Sequence, residues 1–220
     1  MSLLKDTIIR LRAPVKRIGL ENRDFSILAN NCWGGIVSRD RRLPYNSPTC
    51  GTYFFSKDYL RFLSDPRRYL AMELEEVPFA ESAHAAEVFE KEGREPVIGR
   101  MGDVEVVLLH YPVFAEAKEK WDRRKARIRW DNLLVKYSDQ NGFEPEDFET
   151  FRALPFANKV FLTVNPEYKS GFTAVIPDRW QAGYAVDDIK SSFRVMHVND
   201  VLNRMIREER KLKSCRWWLR

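Results

Sequence analysis

No run of this 220-residue chain approaches the roughly 20 apolar residues that a membrane-spanning helix requires. The first twenty residues carry Lys5, Arg10, Arg12, Lys16 and Arg17 and lack the continuous apolar core of a secretory signal. Cysteine is scarce: Cys32, Cys50 and Cys215 stand too far apart for a C-x-x-C redox pair or a zinc-ligand spacing. A reducing, cytoplasmic setting is therefore expected, with no metal site. Glycine and proline number only 10 and 11, and 44% of residues are hydrophobic, which excludes disordered, low-complexity and collagen-like chains. No repeat is present. Also missing are a G-x-G-x-x-G after a strand, a G-x-x-x-x-G-K-[ST] loop, a G-x-S-x-G elbow and an H-E-x-x-H helix. Their absence argues against ordinary dinucleotide dehydrogenases, P-loop NTPases, α/β-hydrolases and zincins.

Charge is present but concentrated. Residues 1–20 hold five Lys or Arg against one Asp, and residues 201–220 hold seven against two Glu, whereas the whole chain carries only +5. The body between the ends is therefore net acidic. A nucleic-acid partner is not expected, since no binding module accompanies the basic residues. Both ends are also striped. Leu4, Ile8, Leu11, Val15 and Ile18 recur at helical spacing, with Pro14 at a break or a helix start. Val201, Leu202, Met205, Ile206 and Leu212 do the same before Trp217 and Trp218. Two readings stay open: terminal helices docked on the acidic body, or peripheral contact with an anionic membrane surface. Residues 1–22 are read as a basic amphipathic arm and 23–220 as one domain.

From Pro96 onward strand and helix signals alternate. Pro96 to Tyr111 is a nearly continuous Val/Leu run, as in a strand covered on both faces. Phe114 to Ile128 carries apolar residues at spacings of three and four, as on a helix. Leu133–Tyr137 and Lys159–Val164 read as strands with a helix over Glu144–Ala153 between them, and Phe172–Ile176 as a possible antiparallel edge. Earlier, Phe25–Ala29 reads as a strand, Lys57–Leu63 as a helix, and Pro66–Met72 as another started by Asp65. Val195–Val198 looks like a short late strand. The expected fold class is α/β, a three-layer α/β/α domain with a mainly parallel or mixed sheet.

The best candidate site is Asn30-Asn31-Cys32-Trp33-Gly34-Gly35, directly after the first strand, where open α/β sheets present ligands. A tight glycine turn with a buried thiol accounts for the same residues. If Cys32 is a nucleophile, its pKa is expected below the free value of about 8.5. His110 ends the strongest strand, where it suits a general acid or base, or a ring satisfied by a carbonyl. Asp103 and Glu105 lie two apart in the same strand and therefore share a face, as metal ligation or acid–base work requires; a β-turn acid at Gly102-Asp103 beside a solvent-facing Glu105 is the plainer alternative. Arg124 and Arg127, at i and i+3 beyond Trp121, can converge on a phosphate or simply face solvent. Asn132 suits a sugar hydroxyl or a closed turn.

The spaced motifs Asn31-Cys32-Trp33-Gly34-Gly35, Tyr45-x-Ser47-Pro48-Thr49, Gly102-Asp103-Val104-Glu105-Val106, His110-Tyr111, Trp121-x-Arg123-Arg124, Arg127-Ile128 and Asp131-Asn132 fall in one order over roughly residues 20–165. In this the chain resembles a bacterial family of unknown function whose members are often called exopolysaccharide biosynthesis proteins. Cys50 departs from that pattern, and the last part of the chain matches it poorly. The resemblance implies a cytoplasmic protein of surface-polysaccharide biosynthesis. The expected activity is a transferase using a nucleotide-linked sugar or another anionic donor with a polysaccharide precursor, with His110 or Asp103 as base. Binding would fall to Asn30, Asn31, Gly34, Gly35, Tyr45, Ser47, Thr49, Glu105, Tyr111, Trp121, Arg124, Arg127 and Asn132. Two other readings remain: a nucleophilic Cys32 with His110 as its base, in a transferase or hydrolase, and a non-catalytic partner of membrane-bound polysaccharide enzymes. The residues name no cofactor.

Overall fold

The computed structural model describes residues 3–177 and 187–206. Helix α1 (Leu3–Lys16) leads into β1 (Ser26–Ala29), α2 (Trp33–Asp40), α3 (Ser56–Ser64) and α4 (Pro66–Ala71). Then come β2 (Glu75–Val77), α5 (Ala85–Glu92), the pair β3 (Ile98–Met101) and β4 (Val104–Val107), and α6 (Phe114–Lys125). The rest comprises β5 (Leu133–Ser138), α7 (Pro145–Ala153), β6 (Lys159–Thr163), β7 (Thr173–Val175) and α8 (Asp188–Val195), after which residues 198–206 are helical.

The fold is α/β. A four-stranded sheet runs in the order β1-β5-β6-β7 with every pairing parallel, and a second sheet, β2-β3-β4, is antiparallel. All six residues of β5 are buried, as expected of an interior strand, and successive side chains point to opposite faces. Val135 and Tyr137 join one core with Tyr59 and Phe62 of α3, Trp121 of α6 and Phe148 and Phe151 of α7. Leu134 joins a second core with Trp33 and Val37 of α2 and with Val198, Val201 and Leu202. The helix over 198–206 thus docks on the body. Trp217 and Trp218 lie outside the described residues.

Three expectations are corrected. The Pro96–Tyr111 run is a hairpin of the second sheet rather than one strand of the first, because Gly102 takes φ 61° between β3 and β4, a left-handed turn that glycine adopts without strain. The edge strand β7 is parallel, since the chain crosses back before pairing with β6. Val195–Val198 is the end of α8 and the turn into the next helix, where the Met196 amide donates to the Ser192 carbonyl.

Segment 51–54 stitches the sheets together. The Tyr53 amide donates to the Val107 carbonyl (2.9 Å) and Val107 returns the bond (2.8 Å), while the Phe54 amide donates to the Asn30 carbonyl (3.0 Å). The segment therefore spans the end of β1 in one sheet and the end of β4 in the other. Helix α2 lies close on β1, and a Cβ at Gly34 would sit 2.9 Å from Ile27 Cγ2. Gly34→Ala is expected to destabilise the protein by about 1–3 kcal/mol through overpacking. Urea denaturation would show this, and the penalty should shrink in an Ile27→Ala background because the two sites are coupled.

Candidate functional site

The turn after β1 is built on a buried lysine. Lys136 Nζ, fully buried on β5, donates to Asn30 Oδ1 (3.1 Å), Asn31 Oδ1 (3.1 Å) and Ser138 Oγ (2.9 Å), and pairs with the Asp188 carboxylate at the start of α8. Burial pulls the ammonium pKa down, and Asp188 opposes that shift. Asn31 Nδ2 donates to both Asp188 oxygens (3.0 and 2.9 Å) and to Gln140 Oε1 (2.9 Å). Asn31 Oδ1 also accepts the Trp33 amide (3.1 Å), and Trp33 Nε1 donates to Ser192 Oγ (2.9 Å). The loop is held from below by β5 and from the side by α8.

On this base stands Cys32, at the N-cap of α2. Its Sγ is 3.4 Å from Nε2 of His110, whose ring is exposed, and 3.8 Å from the Thr52 carbonyl oxygen. Cys32 lies three residues beyond β1 and His110 three residues beyond β4, strands of different sheets, and the stitch at residues 51–54 brings them together. The amides of Gly34 and Gly35 belong to the first turn of α2, where helix geometry supplies no intrahelical acceptor.

The thiol pKa is pushed up to about 11, first by burial and then by the Asp188 and Glu92 carboxylates, which outweigh Lys136 and Lys91. This is opposite to the lowered value expected of a preformed thiolate. The His110 pKa is pushed down by partial burial and by Arg94 and Arg39, with Glu92 acting against them. The resting pair is therefore neutral thiol and neutral imidazole, in which Nε2 can accept the S–H when Nδ1 carries the ring proton. Iodoacetamide, which reports preformed thiolate, is expected to label Cys32 more slowly at pH 7 than a free cysteine. The rate should climb as pH rises toward 11, and peptide-resolved mass spectrometry measures it.

Other sequence candidates gather behind the pair rather than in it. Arg124 Nη1 donates to the Cys50 carbonyl (2.9 Å) and to the Tyr111 hydroxyl (2.5 Å), and its guanidinium lies 4.9 Å from the Tyr45 ring centroid. Tyr111 donates to the same carbonyl at 3.0 Å. These three side chains brace Cys50 and Gly51, where φ is 84° and a Cβ would come within 3.7 Å of His110. Burial pushes the Cys50 thiol up to about 12. Ser47 and Thr49 serve the edge of β1, with Thr49 Oγ1 accepting the Ala29 amide (3.2 Å). Gly35 packs a helix turn against Cys50, and Trp121 is core.

The remaining candidates lie elsewhere. Asp103 is an exposed turn residue held by the Tyr69 hydroxyl (2.8 Å) and Arg61; the Tyr69 bond leads in lowering its pKa. Glu105 is buried and accepts from Ser82 Oγ (2.6 Å), beside Asp58 and His84. Asn132 exchanges hydrogen bonds with Asn22 (2.9 and 3.1 Å) at the start of β5, the end of the parallel sheet opposite Cys32. Arg127 is exposed.

Lys136, Asp188 and Gln140 were not among the sequence candidates. Lys136 had a signal, a lone charge inside the apolar run of β5. Asp188 had none, because Asp187 beside it is the residue that caps α8, accepting from the Lys190 amide. Lys91 also borders the thiol; its ammonium lies 4.5 Å from the Tyr53 ring centroid and donates to Asn141.

Fold and site together define an α/β domain with a thiol–imidazole pair beyond the C-terminal edge of a parallel sheet. The chain belongs to the family described as a domain of unknown function (DUF1919), whose model matches residues 5–205. An uncharacterized protein of Haemophilus influenzae is 31% identical over 155 residues, which cover 70% of this chain and 69% of that protein.

Proposed function

We propose that the protein is a thiol-dependent acyl transferase or hydrolase in which Cys32 is the nucleophile and His110 the general base. The supporting observation is the 3.4 Å contact between Sγ and Nε2 at an exposed edge of the fold. As Sγ bonds to the carbonyl carbon of the donor, the thiol proton passes to Nε2, so no preformed thiolate is needed. The carbonyl oxygen takes up the electron pair, and the Gly34 and Gly35 amides are its candidate donors. Collapse expels the leaving group, which takes the proton back from His110, and leaves a thioester on Cys32. An acceptor hydroxyl or water then gives its proton to His110, attacks the thioester carbon and releases the thiolate, which regains that proton. Lys136 and Asp188 hold Asn31 and take no part in proton transfer.

The resemblance to exopolysaccharide biosynthesis proteins makes a hydroxyl of a polysaccharide precursor the acceptor in this reading, and the cytoplasm its setting. Direct transfer from a nucleotide-linked sugar has less geometric support, because Arg124 is engaged on Cys50 and Tyr111 while Asp103 sits in a separate turn. The test is turnover of p-nitrophenyl esters and acyl thioesters. The reading expects turnover that depends on Cys32; equal turnover by Cys32→Ala would overturn it.

A further inference from the structure

Helix α1 presents its apolar stripe outward. Ala13 is fully buried, and Lys16 reaches over the Phe193 ring, its ammonium 5.6 Å from the centroid. Asn199 Nδ2 donates to the carbonyls of Lys16 and Ile18, both at 3.0 Å, which fixes the end of the helix to the body. At about 100° per residue, Ile8, Leu11 and Val15 fall on the side opposite Ala13. They are 40, 73 and 67% exposed, and Ile18 just beyond the helix is 73% exposed. Arg12, exposed, borders the stripe next to Ile8, and Arg10, also exposed, lies around the other flank toward the Ala13 face.

We infer that α1 docks this stripe on an anionic lipid surface, lying in its plane. The charge argues for that occupant. One exposed guanidinium at the edge of an apolar stripe, with a second around the helix, suits a surface that offers both acyl chains and phosphate, the arginine stems bending up to the headgroups. Residues 201–220 are themselves basic and a copy of α1 brings like charge; docking on the net acidic body of a second copy would show as self-association without vesicle binding. Among the described residues no helix is long and apolar enough to cross a membrane, so the contact is peripheral. The inference is independent of the chemistry at Cys32.

Co-sedimentation of the full chain with phosphatidylcholine vesicles, with and without phosphatidylglycerol, tests it. Binding is expected only with phosphatidylglycerol, weakening as salt screens the field. The double variant Leu11→Glu, Val15→Glu should bind about tenfold more weakly or worse, since it removes apolar contact and adds repulsion. Both side chains are exposed, so its thermal melt should match the parent's, and Leu11→Met with Val15→Ile should retain binding. No binding to phosphatidylglycerol vesicles, equal binding to neutral ones, or binding unaffected by the glutamates would overturn the inference. So would self-association that the glutamates abolish in a protein that ignores vesicles, which would make the stripe an interface between copies.

Discussion

Lys136→Met is expected to destabilise the protein by about 3–5 kcal/mol, the usual cost of removing one partner from a buried ion pair. Asp188 would remain in the interior, only 1% exposed, with its cation gone, and Asn30, Asn31 and Ser138 would each lose a donor. Such a loss is a large part of the roughly 5–15 kcal/mol that holds a domain folded. The double variant Lys136→Met, Asp188→Asn should recover much of it, because the amide leaves no unpaired charge. Guanidinium denaturation of the two variants measures both effects. A loss below about 1 kcal/mol for the single variant would mean that the pair does not anchor the loop.

Cys32→Ala should abolish ester and thioester turnover, and His110→Ala should lower it by about 10²–10⁴, the range expected of a positioned general base. His110 is exposed and Cys32 half-buried, and neither side chain ends a hydrogen-bond ladder, so the variants should melt near the parent. Asp103→Asn and Arg127→Ala should stay within about twofold, as substitutions of exposed residues outside the site do. Arg124→Ala should fall between, because it loosens the Cys50–Gly51 backbone beside His110 without touching the pair. Variant kinetics on one donor separate the readings, since direct sugar transfer would make Asp103 or Arg127 costly and Cys32 dispensable.

The alternation that marks an α/β chain is plain in the sequence, as are most helices and the strands β1, β5 and β6, because each has a long, one-patterned signal. The hairpin of β3 and β4 was hidden by its composition. A run rich in Val and Leu reads the same whether it continues or doubles back, and Gly102 was the only mark of the turn. Cys32 and His110 were legible as residues near strand ends, with their pairing as one reading, but the geometry of their meeting was not. It depends on segment 51–54 pairing with both sheets at once, a long-range arrangement that no local spacing records. The sign of the thiol shift was hidden for a similar reason. It follows first from burial of the thiol and then from Asp188 and Glu92, one far along the chain and the other at the end of α5, both brought near Sγ by the fold. The stripe on α1 was legible as a stripe, but not as one facing outward, since periodicity locates an apolar face without saying what covers it.

The most direct test of a Cys32–His110 pair working as nucleophile and base is the acylation rate of Cys32 by p-nitrophenyl acetate at pH 7, followed by peptide-resolved mass spectrometry in parent and His110→Ala proteins. In the parent, Cys32 should acylate faster than the same cysteine in an unfolded peptide, despite a thiol held up near 11. Loss of the imidazole should slow it by about a hundredfold or more. Equal rates in the two proteins, or a parent Cys32 no faster than the peptide thiol, would contradict the account.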